Sequence, residues 1–177
     1  KEHNIFGHSG LLGDQIPIAV GYAQASQQKT ICVLGDAAAE EDYALASFGY
    51  AATHNVPILF VCEDNDLSIL TEKKVRRSWR LVEVAQSLGL NAFAISDSCK
   101  AIEESVQRIK LPGLINISTT RHMWHAGSGQ DTCPKHDILP VMRKKLSLSQ
   151  EEHQANIEHI EYSTKNKMER LWQQLLT

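Results

Sequence analysis

The chain has 177 residues, 42% of them apolar and 22% charged, with a formal net charge of −3. That length supports one core and leaves little for a second. The balanced charge excludes a polybasic stripe or an acidic tail, so neither nucleic acid nor a membrane surface is an expected partner.

The longest apolar stretches, Ile58 to Cys62 and Leu114 to Ile117, fall far short of the ~18 residues that span a bilayer. A soluble protein with small-molecule chemistry is expected. Lys1 runs directly into Glu2, His3 and Asn4 with no leader pattern, which reads as a piece of a longer chain. Cys32, Cys62, Cys99 and Cys133 form no C-x-x-C pair, and the first two lie in apolar runs. Buried thiols in a reducing compartment fit this better than a disulfide framework.

In chain order, Gly7, Gly10 and Gly13 punctuate a loop before a helix expected over Asp14 to Ala25. Pro17 falls in its first turn, where a missing N–H is tolerated. Thr30 to Leu34 and Pro57 to Cys62 are short, continuously apolar runs that read as buried parallel strands. Between them, the Ala-rich segment Ala39 to His54 reads as a helix, which makes a right-handed βαβ crossover.

A helix near Ser78 to Leu88 ending at Gly89, a strand over Ala92 to Ile95, a helix over Cys99 to Ile109 and a strand over Leu114 to Thr119 follow. This alternation predicts an α/β fold with a doubly wound, mainly parallel sheet and helices on both faces. Thr120 to Lys135 is a polar loop containing Gly and His, of a length that is usually functional or disordered. Ser149 to Glu152 is a capping-box pattern, and Ile157, Ile160, Met168, Leu171 and Leu175 stripe a long helix expected to pack on a neighbour. Residues 1–147 are thus expected as the α/β domain and 148–177 as its helical extension.

Gly35 and Asp36 stand where the first strand ends, and Asn65 stands just past the end of the second. In open α/β sheets ligands bind beyond the carboxyl ends of strands, where helix starts offer N–H groups to phosphate. An Asp and an Asn oxygen from neighbouring strand ends are hard ligands suited to Mg²⁺ or Ca²⁺ bridged to a diphosphate.

The stretch from Gly35-Asp36-Ala37-Ala38 to Glu63-Asp64-Asn65 resembles the thiamine diphosphate motif, which runs from Gly-Asp-Gly to Asn over this spacing. Upstream, Gly10, Gly13, Gln15, Pro17, Ala19 and Gly21 are similar to the G-x-x-G-x-Q-x-P-x-A-x-G element of 2-oxo acid dehydrogenase α subunits. Arg121, His122 and His125 resemble the family's R-x-x-G-H loop.

The resemblance implies that Asp36, Asn65 and the Leu67 carbonyl hold Mg²⁺. Backbone near Ala37 and Ala38 then holds the diphosphate, while Gly10 and Leu12 meet the aminopyrimidine. His125, supported by Arg121, positions substrate or shuttles protons. It implies oxidative decarboxylation of a small 2-oxo acid and acyl transfer to a lipoyl acyltransferase core. A β subunit would supply the activating glutamate, in an oligomer of the cytoplasm or, in a eukaryote, the mitochondrial matrix.

The chain departs from that pattern at Ala37, which replaces the third motif glycine, at Trp124 and Ala126 around His125, and at Asp42. Ala37 is harmless where φ is negative and strained where it is positive. Taken singly, Asp36 also reads as a helix N-cap and Asn65 as an Asx-turn residue. Other thiamine diphosphate lyases, transketolase-like subunits and a non-catalytic relative are the alternatives. His122, His125, Cys133 and His136 offer a rival, a structural zinc loop.

Overall fold

The computed structural model describes residues 6–7, 10–121, 125, 138–147 and 151–176. They fall into two compact units, Lys1–Pro134 and Lys135–Thr177.

The first unit runs α1 (Gln15–Ser26), β1 (Thr30–Gly35), a 3₁₀ turn (Ala38–Glu40), α2 (Asp42–Thr53) and β2 (Ile58–Asp64). A small hairpin, β3 (Leu67–Ser68) and β4 (Thr71–Glu72), leads into the single turn α3 (Lys73–Arg76). Then come α4 (Leu81–Ser87), β5 (Asn91–Ser96), α5 (Cys99–Arg108) and β6 (Gly113–Ser118). The main sheet has the order β1-β2-β6-β5 and every pairing is parallel. The expected α/β class with helices on both faces is what forms.

Side chains alternate across a strand, so the register sorts residues by face. Cys32 pairs with Phe60, Phe60 with Leu114 and Leu114 with Ala92, and all four are buried on the face covered by α1, α2 and α4. Ile16, Val20 and Ala23 of α1, Phe48 and Ala51 of α2, and Leu81 and Ala85 of α4 complete that core. The Phe48 and Phe60 rings meet edge-on with centroids 4.7 Å apart, the geometry that aromatic quadrupoles favour. On the opposite face α5 packs against β5, with the Arg108 guanidinium 5.5 Å from the Phe93 ring centre.

Three expectations are corrected. β1 is not buried on both faces: Cys32 and Leu34 are, but Ile31 and Val33 remain 67% and 52% exposed, because β1 is an edge strand with no described element over that side. The helix expected from Ala39 is divided, since Glu41 is extended (φ −64°, ψ 142°) between the 3₁₀ turn and α2. The helix expected from Ser78 starts only at Leu81, and the hairpin and α3 before it were not anticipated.

In the second unit α6 (Ile138–Ser147) packs with α7 (Glu151–Leu176), with an Arg143–Glu161 ion pair at 3.2 Å. On α7 the stripe residues Ile160, Met168 and Leu171 are exposed, as is Trp172.

Candidate functional site

The pairing of Gly35 with Glu63 ends β1 and β2 at one level, so Asp36 and the pair Asp64 and Asn65 leave the sheet at the same edge. Asp36 is 2% exposed and Asp64 is 7% exposed. Two carboxylates taken from water at adjacent strand ends need compensating charge.

The charge arrives from a single segment, residues 73–77. Lys73 Nζ donates to both oxygens of Asp64 at 2.7 Å and lies 3.4 Å from Asp66. Arg76 donates to Asp36 Oδ2 and, through Nη1, to Glu40 Oε1 at 2.5 Å. Arg77 donates to the Asp36 carbonyl at 3.4 Å, approaches Glu40 at 3.4 Å, and lies 4.4 Å from the Trp79 ring centre. Asn116 Nδ2 on β6 adds a bond to Asp64 Oδ2 at 3.1 Å.

The two acids titrate in opposite directions. Burial pushes Asp36 above its ordinary value, the Arg76 bond opposes that, and the Asp64 charge adds to the rise. Burial also works to raise Asp64, but the bonds from Lys73 and Asn116 outweigh it and hold its carboxyl below the ordinary value. Lys73 loses charge stability through burial and regains more from Asp64, so its ammonium is held above its usual range.

The glycine loop is docked at the same edge. Gly13 has φ +80°, and a Cβ there would lie 3.1 Å from the Ala38 carbonyl and 3.3 Å from the Tyr43 ring, so both the positive φ and the close approach require glycine. Tyr43 Oη donates to the Leu12 carbonyl, and Gln15 Nε2 donates to the Val33 carbonyl of β1 at 3.2 Å. Gly10 and Leu12 thus sit on the exposed rim, carried by the start of α1. Ala37 has φ −71° and ψ −37°, which any residue adopts, so its replacement of glycine brings no strain.

Of the two simple readings, the helix cap fails for Asp36 and the Asx turn forms at Asn65. Asp36 makes an ion pair rather than a helix cap. Asn65 Oδ1 accepts the Leu67 N–H at 3.0 Å, an Asx turn opening β3 that leaves this oxygen a second lone pair. Arg121 donates to the Ile69 carbonyl at 2.6 Å, which ties the segment after β6 to the hairpin. His125 is exposed. His122, Cys133 and His136, the other members of the zinc alternative, lie outside the described residues, and no cluster of metal-ligating side chains occurs among the described ones.

Sequence reasoning missed Lys73, Arg76 and Arg77. A signal was present: the basic run Lys73, Lys74, Arg76 and Arg77 faces the acidic run Glu40, Glu41 and Asp42 in sign. Only the fold shows which charges meet.

Residues 1–170 match the family model for the dehydrogenase E1 component. The chain belongs to the dehydrogenase E1 component family. The α subunit of the pyruvate dehydrogenase E1 component from Rickettsia bellii is 25% identical over 92% of this chain and 57% of its own length. The mitochondrial alpha-1 subunit from Arabidopsis thaliana is 26% identical over 72% of this chain and 36% of its own. This chain therefore spans between about a third and a little over half of the length of these relatives. Among solved structures, transketolase from Campylobacter jejuni superposes with a TM-score of 0.53 at 16% identity over 60% of this chain and 19% of that one, a likeness of fold alone. No described helix is long and apolar enough to cross a membrane.

Membership of the E1 family implies thiamine diphosphate as cofactor. Whether the edge also takes a divalent ion is decided by Asp36. Asp36, Asn65 and the Leu67 carbonyl are oxygen donors of the right hardness, yet Asp36 already holds a guanidinium and is sealed from solvent. With the side chains in these positions, the donor set does not fit a divalent cation.

Proposed function

We propose that this chain is the diphosphate-binding part of an α-type E1 subunit. In that role it acts with a β subunit in the oxidative decarboxylation of a small 2-oxo acid and passes the acyl group to the lipoyl group of an acyltransferase core. The observation that carries the reading is the convergence of the Gly10 to Gly13 loop with the ends of β1 and β2. Tyr43 and Gly13 make this junction, beside the first residues of the motif, Gly35 and Asp36. Thiamine diphosphate, once bound, supplies the carbanion and electron-sink chemistry.

The chain's own part is binding and orientation. Gly10 and Leu12 present backbone to the aminopyrimidine, and Ala37 and Ala38 present backbone to the diphosphate. Arg121 and His125 position substrate or hold a proton near it. Asp36, Asn65 and the Leu67 carbonyl become Mg²⁺ ligands only in a state in which Arg76 has left Asp36. An oligomeric assembly in the cytoplasm, or in the mitochondrial matrix of a eukaryote, accompanies this role. Calorimetric titration of the complete α/β assembly with thiamine diphosphate and Mg²⁺ tests it, and no heat at millimolar ligand ends it. Acyl transfer to lipoamide separates this activity from a lyase releasing free aldehyde and from ketol transfer.

A second reading has a specific observation behind it. The Arg76 bond to Asp36 suits a non-catalytic relative that keeps the fold as an assembly module, folding and binding its partner with no cofactor affinity.

A further inference from the structure

The surroundings of Asp36 are already balanced in charge without a metal. Asp36 and Glu40 contribute two negative charges, and Arg76 and Arg77 contribute two positive ones through their mutual contacts. The group is enclosed: Arg77 is 3% exposed and Arg76 is 13% exposed. The Nε atoms of both arginines are buried without a hydrogen-bond partner among the described residues. Charge, more than complete hydrogen bonding, holds the guanidinium groups in place. A divalent ion at Asp36 would add two positive charges beside a guanidinium in a poorly screened site, where like charges repel strongly.

Resting on the assignment of Asp36, Asn65 and the Leu67 carbonyl as ligands, we propose that Arg76 is a resident counter-ion that competes with a divalent cation for the Asp36 carboxylate. Metal and guanidinium exclude each other there. The segment that carries Arg76 has little apolar anchorage. Its turn, α3, buries no residue, and the hairpin before it exposes Ile69 and Leu70 at its tip. What secures it is polar: the ion pairs of Lys73 and Arg76, the Lys73 N–H bond to the Asp66 carbonyl at 2.9 Å, and the Arg121 bond to Ile69. The hairpin also begins at Leu67, whose carbonyl is the backbone ligand. The Leu67 carbonyl and Arg76 thus belong to one continuous segment, so a divalent ion held by Asp36 and Leu67 would have to take the place of the Arg76 contact.

The test uses the full chain and Mn²⁺, with binding read by electron paramagnetic resonance. Arg76→Gln removes the competing charge and is expected to bind Mn²⁺ at least about tenfold more tightly than the unmodified chain. Arg76→Lys keeps the charge and stays near the unmodified affinity. Asp36→Asn added to Arg76→Gln abolishes the gain.

Equal affinity in the unmodified chain and Arg76→Gln, weakened in both by Asp36→Asn, overturns the competition and leaves the ligand assignment standing. Absence of Mn²⁺ binding in every form overturns both, and a gain that survives Asp36→Asn overturns the competition by locating the ion elsewhere. A measurement on the unmodified chain covers a failure of Arg76→Gln to fold. Under saturating Mg²⁺, amides of Lys73 to Arg77 are expected to exchange with deuterium faster. Unchanged exchange with Mg²⁺ bound overturns the proposal.

Discussion

Replacing Lys73 with methionine removes the ammonium from Asp64 while keeping most of the side-chain length. Asp64 is 7% exposed and receives Lys73 on both oxygens at 2.7 Å. After the change it keeps only Asn116 at 3.1 Å and the Asp66 N–H at 3.2 Å. Breaking a buried ion pair costs about 3–5 kcal/mol, but Lys73 is 29% exposed and two bonds remain. The expected loss is therefore ~2 kcal/mol at pH 7, nearer the worth of one charge-assisted bond.

The pH dependence carries the sharper signature. The folded Asp64 carboxyl is held below its ordinary value, even though burial acts to raise it, because Lys73 and Asn116 outweigh the burial. That stabilisation is present above the unfolded-state pKa and is lost as pH falls through the folded one. The variant lacks the Lys73 share of it. The gap between the two proteins is therefore widest near neutrality and closes on acidification through the carboxylate range. Urea unfolding at pH 7 and at pH 4 measures both points. Equal stability at pH 7, or a gap that widens toward pH 4, would refute the reasoning.

Gly13→Ala combines φ +80° with a Cβ 3.1 Å from the Ala38 carbonyl. It should cost about 1–3 kcal/mol and speed proteolysis within the Gly10 loop, read by urea melts and limited digestion. Ala37→Gly restores the motif glycine where φ is already −71°. A urea melt should show no gain and a loss of about 0.5–1 kcal/mol from the added freedom of the unfolded chain. Burial pushes the Cys32 thiol up to about 12, and it also raises Cys62, with Asp64 adding to the effect. Peptide mapping after alkylation at pH 8 should find Cys32 and Cys62 unmodified until denaturant is added, because the thiolate is the reactive form.

Much of the α/β unit is legible in the chain's apolar pattern. The four strands of the main sheet fall within a few residues of the runs that announce them, since a continuous β-branched and apolar segment of this length has few other ways to be buried. α1 and α5 follow from equally local signals: Pro17 near one helix start, and Ser98 capping the other by accepting the Ala101 N–H. The hairpin and α3 were missed because residues 67–77 bury almost nothing apolar, leaving no periodicity to read. The break at Glu41 escaped for a related reason. Nothing local forbids helix there, and only the fold brings the Gly13 loop against Ala38, Glu41 and Tyr43.

Sequence alone determined that Asp36 and Asn65 leave the sheet at one edge, because each follows a strand and the crossover between those strands runs one way. It also determined the glycine loop and its family likeness, since these rest on residue type and spacing. Only the tertiary structure decided what Asp36 touches. Arg76 is forty positions away, delivered by a hairpin without an apolar signature, and a charge finds its partner through space. Which cation neutralises a buried carboxylate depends on the path of the chain between them, and no periodicity along that path records the answer.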